Sequence, residues 1–199
     1  MRKIKKPNFQ NNSLSDLVLT LQKKVVRDYR TLTKIVDGLR AAGYKIVLTI
    51  GSWDMLHIGH VRYLIAGKNR GNILVVGTDS DRIVKKTKGA HRPIIPEEER
   101  MEMLSYQLPV DFVTLLDDMD EQGRWKCDLL KCIRPDVFIA VKGNSYSAKQ
   151  KREIKKYCRK LIVLPRQAEN TSSTTIIQNA FKKNLSGLME ILDTRGGKP

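Results

Sequence analysis

The densest chemistry in the chain lies in Gly51-Ser52-Trp53-Asp54-Met55-Leu56-His57-Ile58-Gly59-His60. His57 and His60 are three residues apart at the opening of a helical stretch, so both imidazoles should project from one face of its first turn. That turn also offers unpaired backbone N–H groups and the positive end of the helix macrodipole, which together suit an anion. Gly59 removes a side chain between the histidines and should let a phosphate approach the backbone. The dipole discourages imidazole protonation in an empty site, whereas a bound triphosphate favours it, so the positive charge should arrive with the substrate. A metal-binding pair would prefer a spacing of four on a helix together with a third ligand. The sequence offers no such third ligand. Histidines at a helix start can also be structural. Their place behind Gly51 and Asp54, in a chain with three histidines in all, favours the phosphate reading.

Two further clusters belong to the same kind of chemistry. Lys85, Lys86, Lys88 and Arg92 precede Pro96, and Glu97, Glu98 and Glu99 then fill the first turn of a helix. The basic stretch suits a mobile phosphate clamp, with a solvated loop as the plainer alternative. Ser173-Thr174-Thr175 opens another helix, where hydroxyls ordinarily cap backbone N–H groups.

Positioning these groups requires a sheet. Short apolar, β-branched runs occur at 45–50, 73–77, 110–116, 136–141 and 160–164, separated by helical stretches around 57–69, 96–107, 121–133, 147–158 and 173–184. Runs so uniformly apolar suit strands covered on both faces. Their alternation with helices implies right-handed crossovers and a parallel sheet. The expected fold is therefore a doubly wound α/β domain with a five-stranded parallel sheet. Ligands in such folds sit at the carboxyl ends of the strands, where the strand order reverses. That points to the loops after Ile50, Gly77, Val141 and Leu164. Leu14, Leu17, Val18, Leu21 and Val25 recur at helical spacing, as do Leu32, Ile35, Val36 and Leu39, which end at Gly43. The expected organisation is a basic flexible arm over 1–12, a helical extension over 13–43, a Rossmann-like domain over 44–185, and a helix end and tail over 186–199.

Composition bounds the function. Hydrophobic residues make up 41% and charged residues 29% of the 199 residues, a soluble globular balance. No apolar run approaches the ~18–20 residues of a membrane span. No secretory h-region follows the basic N-terminus, and we expect a cytoplasmic protein. Cys127, Cys132 and Cys158 form no C-x-x-C pair and are expected to be reduced thiols. The net charge of +16 attracts polyanions. A soluble face with a phosphate-ligand funnel explains it better than nucleic-acid binding, because the aromatic interleaving of a single-strand groove is missing.

The pattern G-x-[WF]-D-x-x-H-x-G-H after the first strand resembles the cytidylyltransferase-like nucleotidyltransferase superfamily. His-Ile-Gly-His is also similar to the signature of class I aminoacyl-tRNA synthetases, but their Lys-Met-Ser-Lys-Ser loop is absent. Gly77-Thr78-Asp79-Ser80-Asp81, Lys88-Gly89, Arg92 to Arg100, Arg134-Pro135-Asp136-Val137 and Ser173-Thr174-Thr175-Ile176-Ile177 occur in the same order in the adenylyltransferase domain of bacterial ADP-heptose synthases. They occur more loosely in glycerol-3-phosphate cytidylyltransferases and archaeal FAD synthases. The resemblance spans roughly residues 30–185. Lys142-Gly143-Asn144-Ser145 departs from the Lys-Gly-Gly-Asp of the heptose enzymes, near the expected acceptor pocket.

The resemblance implies transfer of a nucleoside monophosphate from an NTP, ATP before CTP, to a phosphorylated sugar or polyol, with pyrophosphate released. It implies His57, His60 and Lys88 as catalytic residues. The nucleotide-binding residues it implies are Gly51, Ser52, Trp53, Asp54, Gly59, Asp79, Lys85, Arg92, Lys142, Gly143, Ser173, Thr174 and Thr175. Mg²⁺ would arrive with the NTP, Asp54 would orient its loop or hold the ion through water, and a homodimer is the expected assembly.

Overall fold

A computed structural model describes residues 14–143 and 146–196. The expected basic arm, Asn144, Ser145 and the last three residues lie outside the described residues. Five strands form one parallel sheet in the order β3-β2-β1-β4-β5: β1 (Ile46–Gly51), β2 (Ile73–Asp79), β3 (Phe112–Leu116), β4 (Val137–Val141) and β5 (Lys160–Leu164). Among them run α1 (Leu14–Gln22), α2 (Tyr29–Ala41), α3 (Ile58–Lys68), α4 (Asp81–Lys88), α5 (Glu97–Ser105), α6 (Asp128–Ile133), α7 (Ala148–Tyr157) and α8 (Ser173–Gly196). The strand order reverses at β1, which has β2 on one side and β4 on the other. This is the doubly wound, Rossmann-like arrangement expected from the sequence.

The central strands are apolar on both faces because helices cover both. On one face Leu48, Ile50 and Phe138 pack with Leu129, Leu130 and Ile133 of α6 and Ile154 of α7. On the other face Val47, Leu74, Val76 and Ile139 pack with Tyr63 and Leu64 of α3 and with Met101 and Leu104 of α5. The N-terminal segment is integral to this core: Leu32 and Val36 of α2 are fully buried in the first cluster. Between α1 and α2 the chain also seals the edge of β3. Val26 N donates to Val113 O at 2.8 Å and Val113 N to Lys24 O at 2.9 Å, which removes an exposed pairing edge.

Two local expectations change. The helical stretch over 121–133 reduces to α6. Residues 119–125 instead make a short hairpin closed by an antiparallel Met119–Trp125 bridge. Cys127 then sits in the left-handed region (φ 59°), and Asp118 Oδ2 accepts from Leu129 N at 3.2 Å in the first turn of α6. The basic stretch from Lys85 is not a loop throughout. Ser80 caps a helix by accepting from Ile83 N, and Ile83 and Val84 are its buried face, so Lys85, Lys86 and Lys88 lie in its last turn. Basic side chains at a helix C-terminus complement the macrodipole, so the run of lysines supports the helix.

Candidate functional site

The carboxyl ends of β1, β2, β4 and β5 open onto one cavity of about 890 Å³ that crosses the top of the sheet. One wall starts where β1 ends. Trp53 and Met55 both adopt left-handed backbone (φ 54°), which turns the chain sharply out of the strand. Trp53 is locked by its indole N–H donating to Gly77 O at 2.9 Å, across to the neighbouring strand. Asp54 is buried beneath this loop. Its carboxylate accepts from Ile94 N and Ile95 N at about 3.0 Å and pairs with Arg92 at 2.6 Å. Asp54 therefore fastens the 92–95 segment to the loop. With its oxygens committed in this way, the loop-orienting alternative is the one that the geometry supports.

His57 is the N-cap of α3 rather than a residue of its first turn: its Nδ1 accepts from Gly59 N at 3.1 Å. The two imidazoles nonetheless meet face to face, with ring centroids 4.0 Å apart, and Trp53 packs edge-on against His60 at 5.5 Å. Gly59 lines the cavity and also relieves a close contact. A Cβ there would lie 2.9 Å from His57 Cε1 and 3.0 Å from Ala168 Cβ, so the glycine admits the His57 ring and the 166–168 loop.

Burial lowers the His60 pKa to about 4, helped by the positive charge of Lys88 and by His57, and opposed by Asp54. His60 Nδ1 is buried with no hydrogen-bond partner in the protein. Burial also lowers the His57 pKa, with Arg166 adding to the effect. Both shifts favour the neutral imidazole, and negative charge brought close to the pair would oppose them.

Lys88 reaches in from the end of α4, with Nζ donating to Ser52 Oγ at 2.5 Å. Burial and the nearby Arg92 lower its pKa. Behind it Arg100 is fully buried, donating to Ile95 O at 2.9 Å, Asp79 O at 2.8 Å, Asp81 Oδ1 at 2.7 Å and Ser52 O. This guanidinium ties the ends of β1 and β2 to α5. Asp79 lines the cavity with its pKa raised by burial to about 6, against the pull of Lys88 and Arg100. The opposite wall is the start of α8. Ser172 Oγ accepts from Thr175 N at 3.1 Å, Ser173 Oγ donates to Asp54 O, and Ser173 and Thr174 line the cavity.

The structure brings together Gly51, Ser52, Trp53, His57, Gly59, His60, Asp79, Lys88, Arg92, Lys142, Gly143, Ser173 and Thr174. Three of the expected residues fall outside the cavity lining. Lys85 is exposed on α4, Thr175 faces the Ser172 cap, and Asp54 lies behind the wall. Residues not singled out from the sequence join the lining, among them Tyr63, Trp125, Tyr146, Gln150, Arg166 and Gln167. Arg166 had a local signal, since it lies in the loop after β5, where ligands were expected. Trp125 had none, because the hairpin carrying it was read as helix.

Comparison with known proteins agrees with this arrangement. Residues 48–180 match the cytidylyltransferase-like family. The chain is 36% identical over 170 residues to the bifunctional protein HldE of Desulfatibacillum aliphaticivorans, covering 83% of this chain and 33% of that protein. It is 42% identical over 115 residues to the bifunctional protein HldE of Methylobacillus flagellatus, covering 58% of this chain and 22% of the relative. The chain thus spans about a third or less of the length of these relatives. Among solved structures, the lipopolysaccharide core biosynthesis protein from Thermoplasma volcanium GSS1 shares the fold. Its TM-score is 0.54 at 24% identity, covering 62% of this chain and 98% of that one. The signature segment at the end of β1, the doubly wound sheet that presents it and the match over 48–180 have one reading: the chain belongs to the cytidylyltransferase-like family of nucleotidyltransferases.

Proposed function

We propose that the chain transfers a nucleoside monophosphate from an NTP, ATP in the first instance, to the phosphate of a sugar or polyol. A phosphate oxygen of the acceptor attacks the α-phosphorus, a new P–O–P linkage forms, and the bond to the β-phosphate oxygen breaks. Pyrophosphate leaves with the electron pair. The attacking oxygen is already ionised near neutral pH, so the protein need supply no nucleophile or strong base. Its task is to align the phosphates and neutralise developing charge.

One observation carries this reading: the stacked His57–His60 pair at the start of α3, Lys88 on Ser52 and the start of α8 all border a single cavity. The histidines meet the α- and β-phosphates and acquire protons as the nucleotide's charge arrives. Lys88 meets the β- and γ-phosphates, and Thr174 with the α8 N-terminus holds the departing pyrophosphate. Mg²⁺ bound with the nucleotide would neutralise phosphate charge and would need no dedicated protein cage. Asp54, the carboxylate at this loop, is committed to Arg92 and the 94–95 amides, which leaves the nucleotide's own phosphates as the fitting ligands for such an ion. The choice of ATP rests on the likeness of the motifs to the adenylyltransferase domain of ADP-heptose synthases. CTP with glycerol 3-phosphate, and ATP with FMN, are the nearest variants of the same chemistry. A homodimer is the proposed assembly, and sedimentation equilibrium tests it.

The decisive experiment crosses ATP and CTP with sugar phosphates, glycerol 3-phosphate and FMN in a pyrophosphate-release assay. Release with at least one pair is expected, and ATP should exceed CTP. No release from any pair, together with tight RNA binding that weakens steeply with salt, would remove the enzymatic reading.

A further inference from the structure

The loop between β3 and α6 leaves the sheet and returns through a narrow neck. Its outbound limb begins at Asp117 and Asp118, its return limb ends at Cys127, where α6 starts with Asp128, and the limbs bridge at Met119 and Trp125. Both bridging residues line the cavity, so the fit of the neck decides where one stretch of the cavity wall stands.

The two limbs are held differently. The outbound limb is tied to α4: Arg82 donates to Asp117 Oδ1 at 3.0 Å and to Met119 O at 3.1 Å, and Lys86 donates to Glu121 O at 3.0 Å. The backbone bonds of the return limb run to the outbound limb, from Lys126 N to Asp118 O at 2.9 Å and from Asp120 N to Arg124 O at 3.0 Å. The return limb also passes through a costly conformation, since Cys127 stands in the left-handed region (φ 59°) without being glycine. Asp118 fastens the neck, its Oδ2 accepting from Leu129 N at 3.2 Å in the first turn of α6.

The other oxygen of Asp118, Oδ1, is buried with no donor from the protein. The group beside this carboxyl is that of Asp128, so an acceptor faces an acceptor. Such a pair closes when one proton lies between the two carboxyls, and with both ionised they repel. Asp128 is the partner suited to keep its charge, being partly exposed and paired with Lys131 at 3.2 Å and Lys126 at 3.6 Å. The shifts agree with this division. Burial, and then the bond to Asp128, raise the Asp118 pKa from 3.8 to about 6. Against its own burial, the bond from Asp118 and those from Lys131 lower the Asp128 pKa. The Tyr29 hydroxyl from α2 and the Cys127 thiol also face Asp118. Burial raises both, the thiol to about 11, so they stay neutral while the aspartates titrate. Asp117 is committed to Ser80 and Arg82.

We propose that Asp118 and Asp128 form a proton-operated clasp at the neck of this loop: with one proton shared the neck is shut and Trp125 is held in the cavity wall, and loss of the proton releases the return limb. The return limb is the one that moves, because α4 holds the other. The clasp requires no particular substrate in the cavity. The closed neck is favoured at low pH, and the advantage is lost as pH rises through about 6. A carboxyl lifted from 3.8 to about 6 makes opening about tenfold easier at pH 7.5 than at pH 5.

Amide hydrogen exchange of the full chain, followed by NMR at both pH values and corrected for intrinsic rates, tests this. Protection of Lys126 and Leu129 should fall about tenfold as pH rises, and at pH 7.5 both should exchange faster than Phe138 in β4. In Asp118→Asn the new amide donates to Asp128 at every pH, and in Asp128→Asn it donates to Asp118. Either variant should therefore keep the neck shut, with protection changing less than twofold, and the second serves if the first fails to fold. Trp125 emission should shift to the red between pH 5 and pH 7.5, and that shift should be absent from Asp118→Asn and from Trp125→Phe. Wild-type protection that ignores pH would mean that Asp128 swings out without moving the limb, and overturns the clasp. A fall of equal size in both Asn variants does the same. So does exchange of Lys126 and Leu129 at the rate of Phe138, which would report opening of the whole fold.

Discussion

At His60 and Asp79 the same burial acts on charges of opposite sign. Asp79 has its pKa raised from 3.8 to about 6, so the folded state holds its proton where the unfolded chain has lost it. Its contribution to stability is present at low pH and is lost as pH rises through about 6. His60 has its pKa lowered from 6.5 to about 4, so the unfolded chain binds the proton first. Its contribution is present above pH 6.5 and is lost as pH falls towards 4. Across this window the two slopes oppose each other. His60→Asn should therefore make stability fall with rising pH relative to the wild type between pH 4 and 6.5, and Asp79→Asn should make it rise. Urea-unfolding midpoints at pH 4.5 and 6.5 test this, and parallel slopes in all three proteins would contradict it. For activity, burial favours the neutral form of His60, so in the proposed reaction its charge would arrive with the nucleotide. His60→Ala should accordingly lower kcat by about 10²–10³, the scale of losing one preorganised stabiliser of transition-state charge. Near-normal turnover with intact circular dichroism would remove His60 from the site.

The elements show why a helix start, and not a catalytic side chain alone, governs the histidine pair. The first turn of α3 is squeezed between the His57 ring and the 166–168 loop, and Gly59 is the residue that fits the gap. Gly59→Ala should displace His57 or the loop, since Ala168 Cβ offers no flexible end to move. The expected result is a KM for NTP raised about tenfold with a melting temperature within a few degrees of wild type. An unchanged KM would mean that the gap closes without cost. The sequence announced this element, and the five strands, because uniformly apolar runs and a helix-opening His-x-x-His leave local traces. Ser173 and Thr174 were legible for the same reason, standing at a helix start after a strand. It did not announce α4, whose buried face is only Ile83 and Val84 beneath a run of lysines. Nor did it reveal the hairpin at 119–125, which depends on Arg82 and Lys86 reaching across from another helix. Arg100, Trp125 and Tyr146 enter the region of the site through such long-range contacts, and these have no spacing rule in sequence.

For the whole molecule, the net charge of +16 should act on the rate of encounter more than on the chemistry. Lys88, Arg92, Lys142 and Arg166 line the cavity, against one carboxylate, Asp79, among the described lining residues. On α7, Lys149, Lys151, Arg152 and Lys155 are exposed on the helix that also sends Gln150 into the lining. Exposed charges act over roughly a Debye length, about 8 Å at physiological ionic strength and about 3 Å at 1 M. The basic face of α7 can therefore draw an anionic nucleotide toward the cavity in dilute salt and lose that influence in concentrated salt. Replacing Lys151 and Lys155 together by Glu should lower kcat/KM for the NTP several-fold at low ionic strength and leave kcat unchanged. The deficit should close as salt is raised, because neither side chain touches the reacting phosphates in this reading. Stopped-flow nucleotide binding across a salt series measures it directly, with the loss expected in the association rate. A loss that persists at 1 M salt would place these lysines in direct contact with the ligand. If NTP association proved insensitive to both salt and charge reversal, the surplus charge would serve another polyanion. An RNA-binding slope against log salt in the same variant would then show whether that polyanion is nucleic acid.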